Sequence, residues 1–229
     1  MSPTCSHTRA RCVVPELRAL LVDWGGVLTE PLESAMRSWA AVDGVDFDSY
    51  IAVMREWLGQ HQGEFAAANP VAALERGEIE VPHFEVQLAD RLSSATRHPI
   101  VAAGLLQRMF DQFAHEPAMA ALVLRARRAG VRTGLLSNSW GNEYPREGWD
   151  EMFDAIVISG EVGMRKPEPG IFAHALELLD VEAGQTVFVD DLRINVTAAV
   201  ELGFVGVHHV AYDQTASELE ALFGLPLRA

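Results

Sequence analysis

Five short apolar runs, separated by amphipathic stretches of helical period, constrain this chain more than any other feature. They are Ala19–Asp23, Val131–Ser137, Ala155–Ser159, Thr186–Asp190 and Val205–His209. Runs apolar at consecutive positions, rather than at alternate ones, suit strands buried on both faces. Their alternation with helical patterns predicts βαβ units and a parallel sheet, an α/β doubly wound core. Two crossover helices are marked by their ends: Met119–Ala129 is closed by Gly130, and Ile171–Leu179 is opened by the turn Lys166–Gly170. A last helix is expected from Thr215, with Glu218 completing a capping box and Ala216, Leu219 and Leu222 buried.

The stretch 31–116 breaks the alternation. Its apolar residues recur at helical spacing, as in Tyr50, Met54 and Leu58, then Phe84, Leu88 and Leu92, then Leu106, Met109, Phe110 and Phe113. Pro31 and Pro117 mark its limits, and Pro82 suits the first turn of an internal helix. The expected organisation is an N-terminal arm (1–12), an α/β core (13–30 and 117–229) and an all-helical insert (31–116).

Composition narrows the function. With 18 basic against 32 acidic residues the net charge is −14, so the long-range field repels nucleic acid and anionic membranes, and a phosphate ligand must be captured locally. No apolar run reaches the roughly 18 residues that span a bilayer, and the N-terminus lacks the uninterrupted apolar stretch of a signal peptide, which leads us to expect a cytoplasmic protein. Cys5 and Cys12 have no metal-ligand spacing and are expected to be reduced thiols. Among 17 arginines there is a single lysine, Lys166. A compact ammonium does what a planar guanidinium cannot, which marks Lys166 for a special site.

Three of the apolar runs end on polar groups: Asp23, then Ser137 and Asn138, then Asp190 and Asp191. In an open parallel sheet the ligand crevice lies beyond the carboxyl ends of the strands, so these residues are expected to converge on one pocket. Three carboxylates together need a cation, and hard oxygen ligands favour Mg²⁺, which takes one or two carboxylates plus a substrate phosphate. Lys166 and the metal would together hold a phosphoryl group, leaving Asp23 to attack it.

The segments DWGGVLT from Asp23, LLSNS around Ser137, RKPEP around Lys166 and VFVDD ending at Asp191 resemble, in this order, the four motifs of the haloacid dehalogenase superfamily. The helical insert is similar to that superfamily's C1 cap. The finer flavour, with GGV, GMRKPE and DD-x-x-x-N, resembles bacterial sugar-phosphate phosphatases and the phosphatase domain of soluble epoxide hydrolase. The resemblance implies a Mg²⁺-dependent hydrolase of small phosphate monoesters, acting as a monomer or homodimer on a small phosphorylated metabolite. Asp23 would form an aspartyl-phosphate, Ser137 and Asn138 would donate to the phosphoryl oxygens, and Lys166 would hold nucleophile and phosphate together. Asp23, Asp190 and the backbone carbonyl of Gly25 would ligate the metal, with Asp191 and Asn195 orienting its waters and the loop.

One departure stands out. Family phosphatases carry an acid/base Asp two residues after the nucleophile, where this chain has Gly25. General acid/base help is worth about 10²–10⁴-fold. Three readings follow: a leaving group good enough without an acid, a substitute such as Glu30 or Glu143, or a weak or silent relative that binds without turnover. A phosphonate hydrolase would need a cap lysine, and none exists; a metal-free dehalogenase would not need the paired acids Asp190 and Asp191. Trp39 and Trp57 are expected in the cap's own core, while Trp24 and the loop Asn138–Trp149, with Tyr144 and Arg146 as polar handles, either pack in the same way or line the substrate mouth. The adjacent His208 and His209 should point to opposite faces of a strand, in packing roles rather than as metal ligands.

Overall fold

The computed structural model describes residues 16–58, 69–96 and 98–228. Cys5 and Cys12 lie outside them. Five parallel strands form one sheet: β1 (Ala19–Val22), β2 (Arg132–Ser137), β3 (Ala155–Ile158), β4 (Thr186–Asp190) and β5 (Val205–His208), in spatial order β3-β2-β1-β4-β5. All five expected strands are present, with ends shifted by at most one residue. Val22 stands opposite both Leu135 and Val189, so the residues that follow β1 and end β4 emerge side by side where the strand order reverses.

Both faces of the sheet are covered, which explains the continuous apolar runs. Leu20, Val22, Val187 and Val189 pack on α6 (Pro117–Arg128) and α11 (Tyr212–Phe223). Ala19, Leu21 and Phe188 face the other way, onto α9 (Pro169–Leu179) and α10 (Arg193–Glu201). Each fully buried Leu, Val or Phe contributes roughly 1.5–3 kcal/mol.

Among the described residues, five helices stand between β1 and α6: α1 (Leu32–Asp43), α2 (Phe47–Leu58), α3 (Pro70–Glu75), α4 (Val81–Thr96) and α5 (Leu105–Phe110). They enclose a core of their own, with Trp39 edge-on to Tyr50 and Trp57 edge-on to Phe84. The two connections to this cap run antiparallel, with Glu30 N–H donating to Ala114 O and Glu116 N–H to Leu28 O, each at 2.9 Å. Short helices α7 (Trp149–Met152) and α8 (Ser159–Val162) follow β2 and β3.

The last helix differs from expectation. It begins at Tyr212, a turn before Thr215, whose buried hydroxyl meets His209 Nδ1 at 2.9 Å and so caps nothing. Leu222 is exposed rather than buried, lying on the outer face of α11. No described helix is long and apolar enough to cross a membrane.

Candidate active site

Asp23, Lys166 and Asp190 meet at the switch point. Lys166 Nζ lies 2.8 Å from Asp23 Oδ1 and 2.7 Å from Asp190 Oδ2, with its side chain 1% exposed. Asp23 Oδ1 also accepts from the Trp24 N–H at 2.7 Å, whereas its Oδ2 has no hydrogen bond among the described residues. One oxygen is thus anchored and the other is left at the cavity.

Asp190 and Asp191 are adjacent in sequence and unlike in environment. Asp190 Oδ1 accepts from the Leu192 N–H at 2.8 Å, and the Asn195 carboxamide reaches both its oxygens at 3.1 Å. Together with Lys166 these bonds consume its acceptor capacity. Asp191 Oδ1, by contrast, is buried without a partner. Asp191 reaches the β1 loop because residue 26 is glycine: at φ +70° a side chain is already disfavoured, and a Cβ there would lie 2.5 Å from Asp191 Oδ2.

Ligand oxygens of Asp23, Asp190 and Asp191 can lie within 4.8 Å of one another. Burial pushes the Asp23 carboxyl up to about 8. Lys166 pulls it down, and Asp190 and Asp191 add to the rise. Burial and the neighbouring Asp190 push Asp191 up to about 7, against Lys166. Burial also works against the Lys166 charge, but Asp190 and Asp23 outweigh it and hold the ammonium protonated well above its ordinary value. One lysine therefore does not balance three carboxylates, and the orphaned Asp191 oxygen suits a hard divalent cation.

Removing Lys166 tests this balance. Lys166→Met takes the ammonium away from buried Asp190 and from Asp23, and above about pH 8, where Asp23 ionises, should destabilise the metal-free protein by about 3–5 kcal/mol, a fall in Tm on the order of 10 °C. An unchanged melting curve would contradict the arrangement.

Ser137 and Asn138 reach the same floor from the end of β2. The Ser137 hydroxyl lies 2.9 Å from the Tyr144 hydroxyl. Asn138 clamps the backbone of Lys166, accepting its N–H at 2.8 Å and donating to its carbonyl at 3.0 Å, which leaves one N–H for a ligand. Asn195 holds Asp190 rather than facing the cavity floor alone. His208 Nε2 lies 2.9 Å from the Asp191 carbonyl and His209 turns to Thr215, on opposite sides of the strand end.

A cavity of about 940 Å³ opens above these groups, between core and cap. Trp24 and Trp140 line it, as the sequence suggests. Tyr144 and Arg146 do not; they border a second, smaller depression, where Arg146 pairs with Glu161. Glu30 and Glu143 are exposed and line no part of the main cavity, so neither stands where an acid/base is missing. Beside Gly25 sits the apolar Leu32, whose Cδ2 would lie 3.4 Å from a Cβ at that position.

One buried pair escapes sequence reasoning. Glu75, at the end of α3, bonds Arg165 and accepts from Trp140 Nε1 at 3.1 Å, joining the cap to the residue preceding Lys166. The available signal is a charged residue following the apolar run Val71–Leu74 on a short helix.

The model of the haloacid dehalogenase-like hydrolases matches residues 17–203. The chain belongs to this family. The haloacid dehalogenase-like chain is 43% identical to the sesquiterpene phosphatase astK of Aspergillus oryzae over 33% of its length, and 27% identical to bifunctional epoxide hydrolase 2 of Sus scrofa over 92%. It spans 38% and 40% of those two proteins. In fold it is similar to a HAD family enzyme of Bacteroides thetaiotaomicron, whose structure is a complex with magnesium and inorganic phosphate. The TM-score is 0.57 at 23% identity, over 85% of this chain and 95% of that one.

Proposed function

We propose that this chain hydrolyses phosphate monoesters in two displacements, with Asp23 as nucleophile. The observation that carries the reading is the split role of that carboxylate: Oδ1 is held by Lys166 and the Trp24 N–H, and Oδ2 is unengaged among the described residues at the floor of the cavity. Oδ2 attacks phosphorus, an Asp23 O–P bond forms, and the ester P–O bond breaks with its electron pair leaving on the alcohol oxygen, which takes its proton from solvent water. Water then attacks the acyl phosphate, releasing inorganic phosphate and restoring the carboxylate. Lys166 keeps its proton throughout, placing positive charge beside the phosphoryl oxygens, and Ser137 and the remaining Asn138 N–H donate to them. The phosphatase relative and the magnesium and phosphate bound by the structural neighbour support this reading.

For the metal we give Asp191 the place that the sequence reading gives to Asp190. Asp190 is saturated by Lys166, Asn195 and the Leu192 N–H, whereas Asp191 has a buried oxygen with no partner. Asp23, Asp191 and the Gly25 carbonyl would then hold Mg²⁺, which when bound neutralises the carboxylates and the charge developing on the phosphoryl group. Asp190 and Asn195 instead position Lys166.

Phosphate release from aryl and alkyl phosphates, with Mg²⁺ or with EDTA, tests the proposal. Metal-dependent release is expected, and its absence with every ester would overturn it. A second reading, binding without turnover, draws on Gly25 and the apolar Leu32 beside it.

The carboxylates also set a pH dependence. Asp23 at about 8 and Asp191 at about 7 stay protonated in the folded metal-free protein where the unfolded chain, near 3.8, is ionised. Stability from these groups therefore falls as pH rises through that window, and a bound cation that displaces the protons reverses the trend. Mg²⁺ should release protons on binding at about pH 6.5 and raise Tm more at about pH 8 than at about pH 6. Equal gains at both pH values would contradict the shifts.

A further inference from the structure

We infer that the esters this site accepts carry a long apolar group, a chain or ring skeleton of about ten carbons or more, rather than a sugar. The inference rests on the phosphatase reading for its phosphate anchor. It stands on the wall opposite that anchor.

Three cap segments turn apolar stripes towards the cavity. Met36 comes from α1, Phe47, Ile51 and Leu58 from α2, and Phe110 and Phe113 from the end of α5 and beyond. On α2 the spacing of four and seven residues places the three side chains along one face. These six are only partly buried, although each packs against a hydrophobic core: one side touches it and the other faces the cavity.

Charged cap residues also line the cavity, Asp48 and Arg55 among them, but Glu33, Arg37 and Glu75 are held by partners. Arg37 bonds Glu33 and lies 4.0 Å over the Phe47 ring, and Glu75 is engaged by Arg165 and Trp140. A sugar ring set against the six apolar side chains would turn hydroxyl groups onto carbon, which is costly, whereas an apolar group there would release water from the wall. The rim continues the same character: Leu192, Ile194 and Val210 are each at least half exposed and border the opening. The volume, about 940 Å³, exceeds what a phosphate and a short polar alcohol would fill and lies at the upper end of the range of small-molecule sites.

The test compares butyl, heptyl and decyl phosphate with glucose 6-phosphate, by turnover of the wild type with Mg²⁺ and by calorimetric binding to Asp23→Asn with Mg²⁺. Each fully buried methylene is worth roughly fourfold, so KM and Kd are expected to fall at least about 100-fold from butyl to decyl, with a negative heat-capacity change on binding. Ile51→Gln, checked for folding by its melting curve, should flatten that slope about tenfold at the decyl end. Hydrolysis with no dependence on chain length, or preference for glucose 6-phosphate, overturns the inference and leaves the phosphatase reading standing. Graded binding without hydrolysis of any ester does the reverse. Neither hydrolysis nor graded binding overturns both.

Discussion

Asp23→Asn is expected to lower Mg²⁺-dependent phosphate release by at least about 10⁴-fold while leaving the protein folded. The amide is a poor nucleophile, and no other carboxylate can take its place. Asp190 is held on both oxygens by Lys166, Asn195 and the Leu192 N–H, and Asp191, set against Gly26, is the carboxylate proposed to hold the metal. The same substitution removes a carboxylate whose ionisation is opposed by burial and by two neighbouring acids. Metal-free Asp23→Asn should therefore melt no lower than the wild type at about pH 8, its lost Lys166 contact offset by the lost repulsion. Phosphate assays with purified protein, alongside melting curves, read both effects. Turnover within tenfold of wild type would remove Asp23 from the chemistry and with it the covalent route.

Gly25→Asp is expected to act in the opposite direction, raising kcat for alkyl phosphates about 10²–10⁴-fold. Gly25 is outside the left-handed region, so a side chain fits its backbone, and the nearest neighbour of the new Cβ is the flexible Leu32 side chain at ordinary contact distance. The new carboxyl would stand over the cavity, two residues after the nucleophile, able to protonate a departing alkoxide and later to draw a proton from attacking water. Aryl phosphates, which leave without a proton, should gain far less. That contrast separates repair of a missing proton donor from a general improvement in folding. The kcat profile should also acquire a limb for the added acid. No gain with any ester, in a variant that still binds Mg²⁺, would mean that the site lacks more than its acid and would favour binding without turnover.

Much of this was legible before any coordinates. Continuous apolar runs ending in Asp23, Ser137 and Asp190 are what a sheet covered on both faces, with its crevice at the carboxyl ends, requires, and the sheet has that form. The helical insert was equally plain from its period. The start of the last helix is not legible from its sequence pattern, because a Thr followed by Glu at three residues also occurs inside helices, where tertiary contact, here with His209, decides what the hydroxyl does. Asn138 reads as a phosphate donor from its motif, and the structure adds a second role, since its amide also braces the Lys166 backbone.

By itself the sequence determined the fold, the convergence of Asp23, Lys166 and Asp190, and the absence of an acid at Gly25, because periodicity and strand-end chemistry are local. Only the tertiary structure decided three further things. It distinguished Asp190, saturated with hydrogen bonds, from Asp191, with an orphaned buried oxygen, since neighbouring residues at a strand end differ only in what the rest of the chain brings to them. It joined Glu75 to Arg165 across ninety residues. It also turned the half-buried cap stripes towards a cavity: a helical period shows that a face is apolar, and only packing shows whether that face meets protein or a ligand.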